Sequence, residues 1–459
     1  MRFNRRRIFS AFAGAASVGA APAHARSRIL YDEVLPQPRA TAEMDVASFG
    51  VMPSSELDQS TNLQRAITTA ATAGSLLRFG PGVYRAGGLR LPSNAAIAGV
   101  KGSTRLVLSA GPSLFTSAHA DYINLIDLVL DGNHLPLADE RGLVHLSRGR
   151  AIRIVNCMVI NAGGNAIRLE SIAGNISETT VIDAADCAIF SNNAAGLRIA
   201  GNTIQNAGNT GIAVYRSTPG DDGTLVVDNR IENTKNKSGG TGQWGNAIGV
   251  FRADNVMVRG NRIREAAYSA VRGNTAGNFQ IVGNTCSGIG ETALYAEFGF
   301  NGAVVANNIV DGAAVGVGLA NFQDHGGRLA TVQGNLIRNL HRGRPDRADV
   351  EAMGISAEAD AAITGNVIEN VQGPGIIAGW GSSLRDVVIT GNLVRGATVG
   401  VAISVVPEAG TVVVANNFIA ETPQGAIVGR EWDKTVTGDL SKDGAARYSQ
   451  LTINDNRIR

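Results

Sequence analysis

The chain has 459 residues, of which 57 are glycine, and aromatic residues make up 5% of it. Its 41 Lys and Arg residues nearly balance its 39 Asp and Glu residues, and the net charge of +2 gives no reason to expect nucleic acid or an anionic membrane as a partner. Beyond the N-terminus, no apolar run is long and unbroken enough to span a bilayer. The length would ordinarily indicate two or three domains, but the internal repeats described below predict one continuous unit.

Residues 1–25 have the features of a twin-arginine (Tat) signal peptide. An arginine pair lies at Arg6 and Arg7, an Ala/Gly-rich stretch of low hydrophobicity follows, and a small-x-small pattern ends at Ala25. We therefore predict cleavage near this residue, export by the Tat pathway to the periplasm or beyond, and no membrane span after cleavage. An uncleaved anchor is the alternative. Residues 26–44 are predicted to be a linker.

Residues 45–110 are predicted to form an N-terminal cap and the first coils of a larger structure. Apolar residues recur at a helical spacing from about Ser60 to Ala73, which predicts a capping helix there. Strands are predicted around the turn that begins at Gly80. Since the open end of a solenoid exposes apolar core and unpaired strand edges, we expect the helix to plug that end.

The rest of the chain, residues 111–459, repeats one phrase at a period of about 22–23 residues in its shortest copies. Each copy reads Gly-Asn-x-Ile or a close variant, then a small residue, then short apolar runs with the period of two that is typical of strands. Coils of this kind cannot bury a core alone, so they predict an all-β, right-handed parallel β-helix of about 12 coils. We expect one column of stacked amides at the bend, formed by Asn202, Asn229, Asn261, Asn284, Asn307, Asn335, Asn366, Asn392, Asn416 and Asn456, with Cys157 and Thr179 in the two earliest copies.

Two segments of the cap carry a resemblance to known proteins. The phrase Leu-Gln-x-Ala-Ile at 63–67 and the turn at 80–84 resemble the N-terminal segment of pectate-lyase-like and polygalacturonase-like β-helix proteins. With these two segments, the twin-arginine signal and the repeat, the chain resembles the uncharacterised Tat-translocated repetitive proteins of α-proteobacteria within that superfamily. The resemblance implies the fold and export. It implies no catalytic residue, because the polygalacturonase signature is absent and the pectate lyase arrangement is not recognisable.

Insertions in the repeat predict a groove along one strand face. Two copies are lengthened at one corner, at 233–245 and 339–353, and three are lengthened at the far end of the following strand, at 216–223, 320–328 and 380–384. One face should therefore run between two walls of loops. Because function in such a scaffold lies where the repeat is decorated, we place the candidate site on this face.

Outward positions on this face, two and four residues after the small residue, supply the candidate site residues other than Trp244 and Trp380, which lie in or beside the longer loops. Aromatic rings beside a groove suit sugar rings, and a carboxylate beside an arginine suits acid–base chemistry. The predicted catalytic residues are Glu297, Arg272, Tyr295 and Glu358, the last of them completing a carboxylate pair. The predicted substrate-binding residues are Tyr215, Phe251, Trp244 and Trp380. The alternative is that these are surface ion pairs and loop anchors without chemistry.

No cofactor or metal site is predicted. The acidic spots at 221–222 and 346–351 lack the regular spacing of a calcium loop, so Ca²⁺ is only an alternative. We predict an exported protein that binds or processes a polysaccharide, as a lyase or a hydrolase. The alternative is a non-catalytic glycan-binding or cell-envelope protein, and the sequence leaves the oligomeric state open.

Overall fold

The computed structural model describes residues 42–138, 141–321, 327–345, 348 and 350–459. The described chain winds into a parallel β-solenoid with little helix, as predicted, and the solenoid has about 14 turns. The predicted signal peptide and residues 26–41 of the predicted linker lie outside the described residues, so both stay predictions. No helix within the described ranges is long and apolar enough to cross a membrane.

The predicted capping helix is present as α1 (Ser60–Thr72). Its residues Leu63 and Ile67 are buried in the main core. Gln64 fixes the helix to the first coils, since its Nε2 donates to the Arg90 carbonyl at 2.9 Å and its Oε1 accepts from the Arg90 amide at 2.7 Å. The helix therefore covers the end of the solenoid, as the sequence predicts.

Each coil contributes one short strand to each of three parallel sheets. In the coil around Asn202, the strands are Arg198–Ala200 in sheet 1, Thr203–Gln205 in sheet 2 and Ile212–Asp221 in sheet 3. Neighbouring coils pair residue by residue at about 4.8 Å. Inward Ile, Val, Leu and Ala side chains from all three sheets form one buried cluster that runs the length of the solenoid.

Four long strands turn a corner and belong to two sheets. They are Gly142–Val155 and Asn165–Ser177, which run from sheet 3 into sheet 1, and Val367–Ala378 and Leu393–Ser404, which run from sheet 2 into sheet 3. The other strands of sheet 1 are Glu43–Asp45, Leu76–Arg78, Ala96–Ala98, Asn124–Ile126, Arg198–Ala200, Leu225–Val227, Met257–Arg259, Phe279–Val282, Asn301–Ala306, Arg328–Gln333, Ala359–Thr364, Arg385–Thr390, Val412–Ala415 and Leu451–Asn454.

The other strands of sheet 2 are Gly82–Ala86, Thr104–Leu108, Val129–Asp131, Met158–Ala162, Thr180–Ala184, Thr203–Gln205, Arg230–Thr234, Arg262–Ala266, Thr285–Ser287, Ile309–Asp311, Leu336–Leu340, Phe418–Ala420 and Arg457–Ile458. The other strands of sheet 3 are Leu89–Arg90, Phe115–Ala118, Ile189–Asn192, Ile212–Asp221, Ile248–Asp254, Val271–Asn274, Thr292–Glu297, Val315–Ala320, Met353–Ala357 and Ile427–Glu431. A final strand, Lys434–Asp439, pairs antiparallel with the last strand of sheet 3. Short 3-10 turns lie at Val46–Phe49, Gly381–Ser383 and Ala445–Arg447.

Stacked asparagines form the corner between sheets 1 and 2. Asn284 is typical: its Nδ2 donates to the Val258 carbonyl at 3.1 Å and to Asn308 Oδ1 at 3.0 Å, while its Oδ1 accepts from Asn261 of the preceding coil. Each buried amide of this kind is thereby satisfied by the bend and by the next coil. The ladder contains Asn202, Asn229, Asn261, Asn284, Asn308, Asn335, Asn366, Asn392, Asn417 and Asn456, with Cys157 and Thr179 at its start.

Two positions of the predicted column were wrong by one residue. Asn307 and Asn416 are exposed and have φ of 57°, and the ladder is formed by Asn308 and Asn417 instead. In six of the twelve copies this left-handed position is glycine, such as Gly283 with φ of 67°. Because asparagine tolerates the left-handed region better than other side chains, an Asn-Asn pair places its first member at the bend and its second in the ladder.

Candidate groove on sheet 3

The strand register confirms the alignment of outward residues on sheet 3. Ala213, Gly249, Arg272, Tyr295 and Gly318 are successive partners in one column. Two residues further along the same strands, the second column contains Tyr215, Phe251, Asn274, Glu297 and Ala320. Since side chains alternate across a strand, both columns lie on the outer face of the sheet.

Two open cavities adjoin on this face, and together they form the feature that we call the groove. The first has a volume of about 530 Å³ and the second about 950 Å³, and Tyr295 and Arg344 line both. The predicted insertions supply one wall, with residues 241–244 beside the first cavity and residues 342, 344, 350 and 351 beside the second. Across the second cavity, the opposite side includes Trp380 and Trp432. At the second cavity the groove lies between loop segments, whereas residues 216–223, which were predicted to be part of the far wall, line neither cavity.

The first cavity brings together three of the predicted substrate-binding residues. The Tyr215 ring stacks on Trp244, with centroids 6.3 Å apart and planes 22° apart, and meets Phe251 at 5.6 Å. The Tyr215 hydroxyl lies 3.4 Å from the Gln243 carbonyl in the same insertion, and burial raises the pKa of this phenol. The fourth residue, Trp380, lies apart from this cluster, in the second cavity.

Three of the predicted catalytic residues hold one another in a buried cluster between the cavities. Arg272 donates from Nε and Nη2 to the two carboxylate oxygens of Glu297, at 2.8 and 2.7 Å, and from Nη1 to Glu291 at 3.1 Å. Asn274 Nδ2 also donates to Glu297, at 3.1 Å. The Tyr295 ring lies 5.1 Å from the guanidinium carbon of Arg272. Glu297 is therefore occupied as a hydrogen-bond acceptor on both of its oxygens.

Electrostatics keep Arg272 charged and the Tyr295 phenol protonated. Burial disfavours the Arg272 guanidinium, but the hydrogen bonds and charge of Glu297, with the charge of Glu291, outweigh it and raise the pKa of Arg272. Burial, and then the charge of Glu297, raises the pKa of Tyr295, so its phenol stays protonated at neutral pH. The cluster has the character of a structural ion pair. A catalytic role for Arg272, Glu297 and Tyr295 stays a prediction.

Glu358 lies in the second cavity, two coils from Glu297. Two coil spacings separate the two backbones by about 10 Å. Glu358 is 9% exposed, and its Oε2 accepts a hydrogen bond of 2.6 Å from the Asn321 backbone amide. Burial, partly offset by this hydrogen bond, raises the pKa of Glu358 to about 7. A carboxyl group with such a pKa both donates and accepts protons near neutral pH.

The raised pKa of Glu358 predicts a pH dependence of stability. Between its ordinary pKa of 4.5 and the folded value of about 7, the folded state holds a proton that the unfolded state has lost. The free energy of unfolding should therefore fall as the pH rises through this window, by up to about 3 kcal/mol, and then level off. Glu358→Gln should remove this component. Chemical unfolding of both proteins at pH values from about 4.5 to about 8 measures it, and equal pH profiles would contradict the assignment.

Two contacts that shape the second cavity were not predicted from the sequence. Arg430, at the C-terminal end of sheet 3, donates to both carboxylate oxygens of Glu351 in the insertion, at 2.9 and 3.2 Å. Trp432 meets Trp380 edge-on, with centroids 5.8 Å apart. Because 79 residues separate Arg430 from Glu351, no local sequence pattern predicts this ion pair.

Glu291 was missed for a different reason. It precedes the small residue Ala293 by two positions, whereas the candidates were sought after the small residue. Its Oε1 lies 3.7 Å from Arg344 Nη1, so Glu291 connects Arg272 on the sheet to Arg344 in the insertion.

The acidic spots considered for Ca²⁺ have other contacts. Asp222 is buried, and its pKa is raised by burial; its Oδ1 accepts from the Thr224 backbone amide. Asp221 Oδ1 accepts from Asn255 at 2.8 Å. Asp346 lies outside the described residues. Within the part of the chain that the structure describes, no three His, Cys, Asp or Glu residues are grouped to hold a metal ion.

The family comparison agrees with this architecture. A family model described as the right-handed beta helix region matches residues 220–419. The chain is a right-handed parallel β-helix. The matched residues contain most of the groove, including both insertions and the whole Arg272 cluster. No curated protein matches this β-helix.

Solved structures share the fold at low sequence identity. The surface adhesin PfbA of Streptococcus pneumoniae is 15% identical, with a TM-score of 0.51, and the match covers 86% of this chain and 94% of the adhesin. The A-module of the mannuronan C-5 epimerase AlgE6 of Azotobacter vinelandii is 16% identical, with a TM-score of 0.51 and coverage of 90% and 99%. Gene product 12 of bacteriophage phi29, in its pre-mature form, is 15% identical, with a TM-score of 0.52 and coverage of 86% and 58%. Likeness at these identities shows the fold alone.

Proposed function

We propose that this β-helix is an exported protein that binds a polysaccharide along the groove on sheet 3 and processes it, as a lyase or a hydrolase, with Glu358 as the proton-transferring group. The observation that carries the proposal is the groove itself, in which aromatic rings, a buried carboxyl group and arginines lie in one open channel. Export rests on the signal at residues 1–25 predicted from the sequence.

The shape of the groove favours a polymer over a small molecule. Its floor extends from the strand Ile212–Asp221 to the strand Ile427–Glu431, which is eight coil spacings or about 38 Å. Rings near the two ends, Tyr215 with Trp244 and Trp380 with Trp432, provide flat surfaces for the C–H faces of sugar rings.

The surroundings of Glu358 suit either reaction. As a protonated acid it can donate to a glycosidic oxygen, and as a carboxylate it can remove a proton from a sugar carbon. Arg342 and Arg344 line the same cavity from the insertion wall, where they can neutralise negative charge on a substrate. Glu351 also lines this cavity but is paired with Arg430, so the exposed Asp433 is the better candidate for the second carboxyl group of a hydrolase.

A non-catalytic glycan-binding protein is the second candidate. The hydrogen bonds of the Arg272 cluster favour it. Glu297 and Arg272 are bound to each other and would have to separate before either took part in a reaction. Such a protein would use the same groove and the same rings, without turnover.

A panel of neutral and acidic polysaccharides tests the proposal. Binding is measured by tryptophan fluorescence, hydrolysis by new reducing ends and elimination by the ultraviolet absorbance of unsaturated ends. Trp244→Ala should weaken binding about tenfold through loss of one stacked ring. Glu358→Gln should reduce turnover at least about a hundredfold while binding stays within a few-fold.

The matched control is Glu232→Gln, on sheet 2 and away from the groove, which should change neither measurement. Binding that needs Trp244 without any product would select the non-catalytic candidate. If no polysaccharide binds, or if Trp244→Ala leaves the binding of one unchanged, the groove is not the site.

A further inference from the structure

The outer face of sheet 2 carries an apolar stripe on consecutive coils. Its members are in register, one per coil: Ile309, Leu336, Val367, Leu393 and Phe418. The first three are 41%, 36% and 41% exposed, which is unusual for large aliphatic side chains on successive strands. The same column is polar on either side, with Thr285 before the stripe and Arg457 after it. The apolar patch is therefore confined to five coils.

A column of alternating charge lies beside the stripe, two residues further along the same strands. It reads Asp311, Arg338, Glu369 and Arg395 on consecutive coils. Within the chain these groups form exposed pairs, since Arg338 Nη2 lies 2.9 Å from Asp311 and Arg395 Nη1 lies 3.8 Å from Glu369. The signs along the stack are thus minus, plus, minus, plus.

We propose that this face, the apolar stripe with the charge column, binds a second copy of the chain in an antiparallel two-fold dimer. The symmetry axis runs parallel to the strands, midway between the strand that contains Leu336 and the strand that contains Val367. Leu336 then faces Val367 of the second copy, and Ile309 faces Leu393. An isologous contact of this kind places the same patch on both sides of the interface.

Charge complementarity identifies the second copy as the occupant. In an antiparallel dimer the charge column of the second copy runs in the opposite order, so each of the four charges faces a charge of opposite sign. In the antiparallel dimer Arg338 therefore faces Glu369 of the second copy, and Asp311 faces Arg395, each twice by symmetry. In a parallel two-fold arrangement each coil would face the same coil of the second copy, so the charge column would meet like charges, the apolar stripe or no charge at all, depending on where the axis lies. The antiparallel arrangement matches all four charges and four of the five stripe residues, and it places Phe418 against Thr285 of the second copy.

The size of the face predicts a weak, concentration-dependent dimer. Six coils stack over about 29 Å, and a five-residue strand is about 17 Å wide, so sheet 2 offers about 500 Å² per copy. That is below the roughly 800 Å² per partner of a standard interface. Because the groove lies on sheet 3, both grooves stay accessible in the dimer. Two grooves on one particle would strengthen attachment to a polymer, but the dimer does not depend on the proposed function.

Sedimentation velocity of the purified chain over a wide concentration range tests the dimer. The wild type should shift reversibly from monomer to dimer as the concentration rises. Glu369→Arg places arginine opposite Arg338 of the second copy at two symmetric points, and should weaken self-association at least about tenfold. Leu336→Asp should do the same by placing charge in the apolar stripe.

The double variant Arg338→Glu with Glu369→Arg separates the dimer contact from effects within one chain. It restores opposite charges across the proposed interface, but within one copy it places the new carboxylate beside Asp311 and the new guanidinium beside Arg395. Recovery of self-association without recovery of stability supports the dimer. A wild-type chain that stays monomeric at the highest concentration overturns the proposal. So does an oligomer that Glu369→Arg leaves intact, or one that the double variant fails to restore.

Discussion

Replacing Asn308 by alanine is expected to destabilise the β-helix by about 3 kcal/mol or more. Asn308 Nδ2 donates to the Ile281 carbonyl at 2.9 Å and to Asn335 at 2.9 Å, and its Oδ1 accepts from both the backbone amide and Nδ2 of Asn284. Alanine would leave these buried groups without partners on both neighbouring coils. Equilibrium unfolding in urea measures the loss.

The neighbouring residue supplies the control. Asn307 is exposed and has φ of 57°, a conformation that glycine adopts without strain, so Asn307→Gly should change the free energy of unfolding by no more than about 0.5 kcal/mol. A large cost at Asn307 together with a small cost at Asn308 would reverse the assignment of the ladder.

Arg272→Met is expected to be the second severe change, with a loss of about 3–5 kcal/mol. The side chains of Glu291 and Glu297 are 7% and 6% exposed, so removing the guanidinium would leave Glu297 buried beside Glu291 without its cation. Methionine fills a similar volume, which separates the charge effect from a cavity. Thermal and urea unfolding measure the loss.

Arg264→Met is the matched control for this change. Arg264 pairs with Glu232 across two coils of sheet 2, but in solvent, where such pairs contribute little. Arg264→Met should therefore lower the free energy of unfolding by a barely measurable amount. If Arg272→Met is equally mild, the cluster is not a structural ion pair, and a direct role for Arg272 in ligand binding or catalysis becomes the better explanation.

The fold and the outward residues of sheet 3 could be predicted from the sequence because both follow from the pattern within each repeat. A period of two places every residue of a short strand inside or outside, and a single aligned column then fixes the order of side chains such as Arg272 and Tyr295 along the stack. The error at Asn307 and Asn416 arose because two adjacent asparagines fit one pattern equally well. The backbone conformation determines which asparagine of each pair enters the ladder, and the sequence pattern alone does not specify that conformation.

The chemistry of the groove was harder to predict, because it depends on contacts between distant coils. Sequence order gives no sign that Glu351 meets Arg430, or that Trp380 packs on Trp432. Glu297 and Glu358 are also indistinguishable in sequence, since both are outward glutamates at the same position of the repeat. Their environments differ, since Arg272 neutralises the first carboxylate, whereas burial raises the pKa of the second.

The most direct test of the account is the structure of the protein with a bound oligosaccharide, taken from the polysaccharide that binds best in the panel. We expect the sugar chain to lie along sheet 3, with a ring near Tyr215 and Trp244 and the bond that reacts beside Glu358. A sugar chain bound on sheet 1 or sheet 2, with the groove empty, would contradict the account.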